Sequence, residues 1–213
     1  MPARIFRRCF FGLLLAASFA VPLSASAAPA ADPLAGFVAQ VQSAQGHFEQ
    51  MRELEGAPVA DSRQSGQFAF ERPGKFRWAV ELPFEQLIVS DGRQLYQYDP
   101  DLAQVIERDA DTALGASPAA ILFGTGELGE AFELSARPDA EGLRWVRVTP
   151  RTPDAGFVHA DLGFQDNIPR RLRLLDAFGQ TSRIDFSQTE LNPALPPALF
   201  DFQAPEGADI VHM

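Results

Sequence analysis

The chain has 213 residues, 18 basic and 28 acidic, giving a formal net charge of −10; that length allows one domain or two small ones. The acidity argues against nucleic acid and anionic membrane surfaces as partners, although solubility alone is the simpler reason for it. Phenylalanine is abundant, 18 against two Tyr and two Trp, and its bulk without a polar tip suits both a hollow for alkyl chains and an ordinary β core.

Residues 1–27 read as a secretory signal peptide. Arg4, Arg7 and Arg8 form a basic start, Cys9 to Val21 an apolar stretch, and Ala25-Ser26-Ala27 a small-residue cleavage site. The apolar stretch is too short to span a bilayer comfortably. Residues 28–213 are then a single exported domain, more acidic still, because the leader holds arginines and no acid. The single cysteine, Cys9, lies within the leader and not at the cleavage point, where a lipid-modified cysteine would stand. The processed chain is therefore expected to carry no disulfide and no lipid anchor of its own.

Asp32-Pro33 is a helix start, with Asp as N-cap and Pro in the first turn. Leu34, Phe37, Val38 and Val41 follow at the spacing of one apolar helical stripe, predicted to end near Gly46. Strands are then predicted over Gly46–Leu54 and Val59–Glu71, with the polar tract Asp61–Ser65 projecting as a hairpin end. The stretch from Gly66 to Pro100, GQFAFERPGKFRWAVELPFEQLIVSDGRQLYQYDP, has the clearest pattern. Phe68 and Phe70 share one face of a strand, and Phe76, Trp78 and Val80 share one face of the next, with polar or small residues opposite. Such alternation marks half-buried antiparallel strands. Arg72-Pro73-Gly74, Pro83 and Asp91-Gly92 supply the turns. Leu102–Arg108 continues the series.

Between residues 114 and 124 the alternation stops. Ser117 is a cap, Pro118 a first-turn residue and Gly124 a C-terminal stop, so a two-turn helix is predicted with Ala119, Ala120, Ile121, Leu122 and Phe123 apolar nearly all round. A buried plug over one end of a barrel and a movable lid both fit it. After a Gly-rich connection, Thr125 to Glu130, strands are predicted over Ala131–Arg137, Leu143–Thr149, Phe157–Gln165, Ile168–Leu175, Gln180–Leu191 and Phe200–Gln203. In Phe157–Gln165 the even positions Val158, Ala160, Leu162 and Phe164 are the apolar face. The whole is a mainly β domain with helices, an antiparallel sheet of 11 or 12 strands that is large enough to curl.

No catalytic constellation is visible. His47, His159 and His212 lack partners at metal-ligand spacing, and no HExxH, GxSxG or phosphate-binding glycine loop occurs. No catalytic residue, metal or cofactor is predicted, and the chain is not read as an enzyme. Arg72 precedes a proline at a strand end; from the residues alone it reads as a solvated edge cation.

The runs GQFAFERPGKFRW, LIVSDGRQLYQYDP and LAQV resemble the periplasmic outer-membrane lipoprotein carrier proteins of the LolA type, with weaker similarity from about Phe48 to FDFQAPEGADI. The resemblance implies an unclosed antiparallel β-barrel of about 11 strands, with a helical lid over an apolar cavity. It implies a periplasmic chaperone that takes acylated lipoproteins from an inner-membrane lipoprotein-releasing transporter to an outer-membrane receptor, as a monomer. It assigns Arg72 as a latch that hydrogen-bonds the lid, and places Phe68, Phe70, Phe76 and Trp78 on the cavity wall. On that reading Phe76→Glu should abolish loading while the fold survives. A lipid-sensing regulatory domain on the same half-barrel, and a secreted lipid-acting enzyme, are the rivals.

Overall fold

Alternating side chains and antiparallel hydrogen bonding organise the structure, a computed structural model that describes residues 32–114, 121–122, 128–152 and 156–213. The predicted signal peptide, residues 1–27, and the predicted lid residues Ala119, Ala120 and Phe123 lie outside the described residues.

Helix α1 is Pro33–Gln40. The Asp32 carboxylate caps it, accepting from the Leu34 and Ala35 backbone N–H groups at 2.9 and 3.4 Å. Leu34, Phe37 and Val41 are buried, as the stripe requires. The helix does not reach Gly46. Val41 is already extended, because Ser43 to Gly46 are engaged in ladders on both sides, with Glu71 to Phe68 and with the region of Leu191. Strand β1 is accordingly Ser43–Leu54.

The sheet contains thirteen strands among the described residues, in the order β13-β7-β6-β5-β4-β3-β1-β12-β11-β10-β9-β8, with β2 paired to β1 alone. They are β2 Ala57–Pro58, β3 Gln64–Glu71, β4 Lys75–Leu82, β5 Gln86–Asp91, β6 Gln94–Asp99, β7 Gln104–Asp109, β8 Phe132–Ala140, β9 Leu143–Pro150, β10 Phe157–Gln165, β11 Ile168–Asp176, β12 Thr181–Leu191 and β13 Asp209–His212. All pairings are antiparallel except β13 on β7. The chain starts in the middle with β1 and builds one wing outward through β7. It reappears at the far edge as β8 and builds inward until β12 closes on β1. The outer strands β8 and β13 do not pair with each other, so the sheet is unclosed. Between β7 and β8 the described residues include the short helices α2 Ala110–Leu114 and α3 Leu128–Ala131.

The sequence expectations need several corrections. The strand count rises from about 11 to thirteen because the two-residue β2 and the C-terminal β13 are added. Phe200–Gln203 is not a strand. Phe200 is buried, and Phe202 packs on Tyr96 and Tyr98 with ring centroids 5.1 and 6.1 Å away. This segment therefore lies across the outer face of the sheet instead of extending it. Val59 to Arg63 lead into β3 as turn and loop. Leu128 to Ala131, expected within the Gly-rich connection and the start of a strand, are helical. In β10 the alternation slips at its start: a bulge lies between Phe157 and His159, Phe157 is buried, and Val158 is exposed.

The core occupies the concave face. Phe48, Phe68, Phe70, Phe76, Leu162, Phe164, Leu172 and Phe186 from the strands meet Leu34 and Phe37 of α1, together with Ile121 and Leu122 of the insert. The outer face of the second wing is held by cross-strand ion pairs, among them Arg147 with Asp161 at 2.6 Å and Arg171 with Asp185 at 2.5 Å.

Candidate functional site

Strand pairing assembles an aromatic wall. Phe68 lies opposite Trp78, Phe70 opposite Phe76, and Phe48 opposite Phe186. Even residues of β3 and β4 share the concave face because side chains alternate. Trp78 stacks on Phe48 with ring centroids 3.7 Å apart, and the Phe68 ring meets Phe186 edge-on at 5.4 Å. Such pairs add to the burial of the rings themselves.

Beside this wall lies an apolar hollow of about 20 Å³, lined by Phe37, Ala44, Phe68, Phe70, Leu122, Pro169, Phe186 and Thr189. That is space for about one water molecule, not for an alkyl chain. The chain's own side chains fill the remainder: Phe37 from α1 and Leu122 from the insert stand on the side facing the wall. Ile121 is 0 % exposed and Leu122 6 %. A larger groove, about 450 Å³, crosses the outer face, but in its lining Gln45, His47, Gln67, Arg77, Glu81 and Glu190 outweigh the large apolar Phe68 and Leu199. The chemistry of an apolar ligand fits the small hollow, and only if α1 or the insert moves aside.

Arg72 stands at the end of β3 and joins three parts of the molecule. Its Nε donates to the Val41 carbonyl at the end of α1, 3.0 Å away, and its Nη2 donates to the Leu122 carbonyl at 2.7 Å. Its backbone N–H donates to Gln42 at 2.8 Å. The guanidinium carbon lies 5.0 Å from the Phe70 ring centroid and 5.9 Å from that of Phe37. Desolvation by burial pulls its pKa down from the ordinary guanidinium value to about 10, so it remains charged at neutral pH. A planar fork of donors can serve two carbonyls at once; an ammonium on a flexible stem does so poorly. The reading as a solvated edge cation is thereby replaced: the side chain is half-buried and reaches inward.

The residues named from sequence distribute unevenly. Phe68 and Phe70 line the hollow. Phe76 and Trp78 belong to the adjoining core, Phe76 at 2 % exposure and Trp78 against Phe48. Leu122 lines the hollow and Ile121 is buried beside it. Phe37, Ala44, Pro169, Phe186 and Thr189 were not singled out as lining residues. Phe37 belongs to the apolar stripe of α1, and Phe186 alternates with Ile184 against Arg183 and Asp185 in the sequence; Pro169 and Thr189 carry no signal of their own. Among the described residues no helix is long and apolar enough to cross a membrane.

The family described as "Outer membrane lipoprotein carrier protein LolA" matches residues 39–203. An outer-membrane lipoprotein carrier protein of Bordetella avium is 55 % identical over 192 residues, covering 90 % of this chain and 91 % of its own. That of Cupriavidus pinatubonensis is 42 % identical over 198 residues, covering 92 % and 93 %. An uncharacterized conserved protein from Thermus thermophilus shares the fold at 11 % identity, with a TM-score of 0.52 over 81 % of this chain and 91 % of that one. With its unclosed sheet, Ile121 and Leu122 of its insert packed in the core and this agreement over most of its length, the chain belongs to the outer membrane lipoprotein carrier protein LolA family.

Proposed function

We infer that this protein is a periplasmic carrier of lipoproteins, which shelters their acyl chains against the concave face of its sheet. The observation that carries this reading is the contact between insert and wall: Leu122 fills the hollow while Arg72 holds its carbonyl at 2.7 Å. The hollow is thus bordered by a piece of the chain whose backbone Arg72 holds. Residues 1–27 export the protein and are removed. The carrier is a monomer, loaded by an inner-membrane lipoprotein-releasing transporter and unloaded by an outer-membrane receptor. It performs no chemistry on its cargo.

The energetics explain why a stopper is needed. Burying an acyl chain is worth about 0.8 kcal/mol per methylene. Two or three long chains would gain tens of kcal/mol gross, which no reversible complex shows. An insert that competes for the same space returns part of that gain when cargo leaves. Transfer then proceeds from one apolar surface to another with no aqueous intermediate.

Arg72→Leu tests this. Losing a charge-assisted hydrogen bond weakens the closed state by about 1.5–3 kcal/mol. The competitor for the hollow is then weaker, so lipoprotein should still load but pass to an acceptor at least about tenfold more slowly. Loading and release at wild-type rates would remove Arg72 from the mechanism. Stable lipid binding with no transfer by the wild-type protein would instead return the sensing reading.

A further inference from the structure

The strand that lines the hollow deepest in the sequence is irregular at one point. β12 pairs with β1 in one register from Glu53 to His47 and in another from Gln45 to Ala44. Two residues of β12, Gln188 and Thr189, therefore stand opposite the single residue Gly46. Gln188 takes a left-handed backbone with φ of 50°. Gly46 answers it: a Cβ there would lie 2.9 Å from both the Ser187 carbonyl oxygen and a Phe68 ring carbon. A bulge of this kind re-aims the side chains beyond it.

The effect here can be read residue by residue. Phe186 faces inward and is buried. Unbroken alternation from it would place Gln188 and Glu190 inside and Thr189 and Leu191 outside. The bulge reverses this. Gln188 and Glu190 line the groove on the outer face, and Glu190 accepts a hydrogen bond from Gln45 there at 2.8 Å. Thr189 lines the apolar hollow, and Leu191 packs against the core. The Thr189 Oγ1 is buried and makes no hydrogen bond. Buried hydroxyls are nearly always partnered, and all the other residues lining this hollow have apolar side chains.

We propose that Thr189 is a polar anchor in the hollow, its hydroxyl donating to the carbonyl that joins a fatty chain to its headgroup. This rests on the reading of the hollow as an acyl site. An ester or amide carbonyl is the acceptor that every acylated cargo brings, and hydrocarbon lacks it. The anchor fixes how deep a chain enters, and Leu122 borders the same hollow.

Two lysolipids differing at one group test the proposal: 1-palmitoyl-lysophosphatidylcholine, which has an ester carbonyl, and 1-hexadecyl-lysophosphatidylcholine, which has an ether in its place. Binding to the exported protein is titrated by tryptophan fluorescence, and folding of each variant is checked by its thermal transition. Thr189→Val keeps the branched shape and removes the hydroxyl; Thr189→Ser keeps the hydroxyl. Thr189→Val should weaken the ester lipid roughly five- to tenfold and leave the ether lipid unchanged, with Thr189→Ser close to wild type. Equal effects on both lipids, or no effect on either, would overturn the anchor while leaving the acyl site standing. A wild-type protein that binds neither lipid would overturn both.

Discussion

Arg72 and Phe76 sit four residues apart and show how differently single positions yield to reading. The alternation that placed Phe76 on the concave face holds, but the face is thicker than a single wall. Phe76 is opposite both Phe70 and Ser90 and only 2 % exposed. A glutamate there would be an unpaired charge in the core, not a charge among acyl chains. Phe76→Glu should therefore lower global stability by at least about 3 kcal/mol, measured as a fall in the urea midpoint, and loss of loading would follow from unfolding. This replaces the expectation that the fold survives. Arg72 had its role from resemblance alone, and one of its partners was beyond reach in the sequence. The Val41 carbonyl is available because α1 stops at Gln40, and the sequence stripe ran on towards Gly46 without a break to mark that stop. The competing ladders of Ser43 to Gly46 decide it, and these depend on partners about 25 and 145 residues away.

At the level of elements, strands with strict alternation and glycine turns were legible, and strands made irregular by tertiary demand were not. β3 to β6 agree with their pattern because each pairs with its neighbour in sequence. β10 and β12 contain bulges that invert the alternation for a few residues, so Val158 and Thr189 lie on faces opposite to those their parity suggests. β13 has little pattern to read: four residues pair in parallel with β7 because Phe200 and Phe202 first carry the chain across the outer face. A glycine in β3 shows how tightly the readable part is built. A Cβ on Gly66 would stand 1.9 Å from the Ala79 carbonyl oxygen of β4. Gly66→Ala should force the two strands apart and cost about 1–3 kcal/mol or more, seen as a lowered melting temperature. The same substitution at Gly36 of α1, where nothing lies within 4 Å, serves as the uncrowded control and should hold or raise the melting temperature, since Ala favours the helix.

For the molecule as a whole, the unclosed sheet leaves two outer strands to manage. β8 carries Glu133, Arg137, Pro138 and Asp139, the charges and proline that discourage pairing with another chain. On the opposite wing, β7 is covered by β13, whose Asp209 N–H reaches the Ala103 carbonyl at 2.8 Å. Removing residues 209–213 should leave the hollow and Arg72 intact but uncover the longer β7. Self-association on size-exclusion chromatography is the expected result; a monomeric truncated protein would show that the edge is guarded otherwise.

The central position of β1 has a consequence for how the molecule comes into being. Synthesis delivers the chain from its N-terminus, so β1 is among the first segments to emerge and β12 among the last. Its ladder with β12, and the bonds by which Asn192 accepts from Gln42 and donates to Gln40 at the same corner, cannot form until synthesis is nearly finished. A half-delivered chain can raise only the wing from β1 to β7, with its greasy face bare and no receptacle enclosed. Competence to accept lipid thus arrives all at once, with the final fifth of the polypeptide.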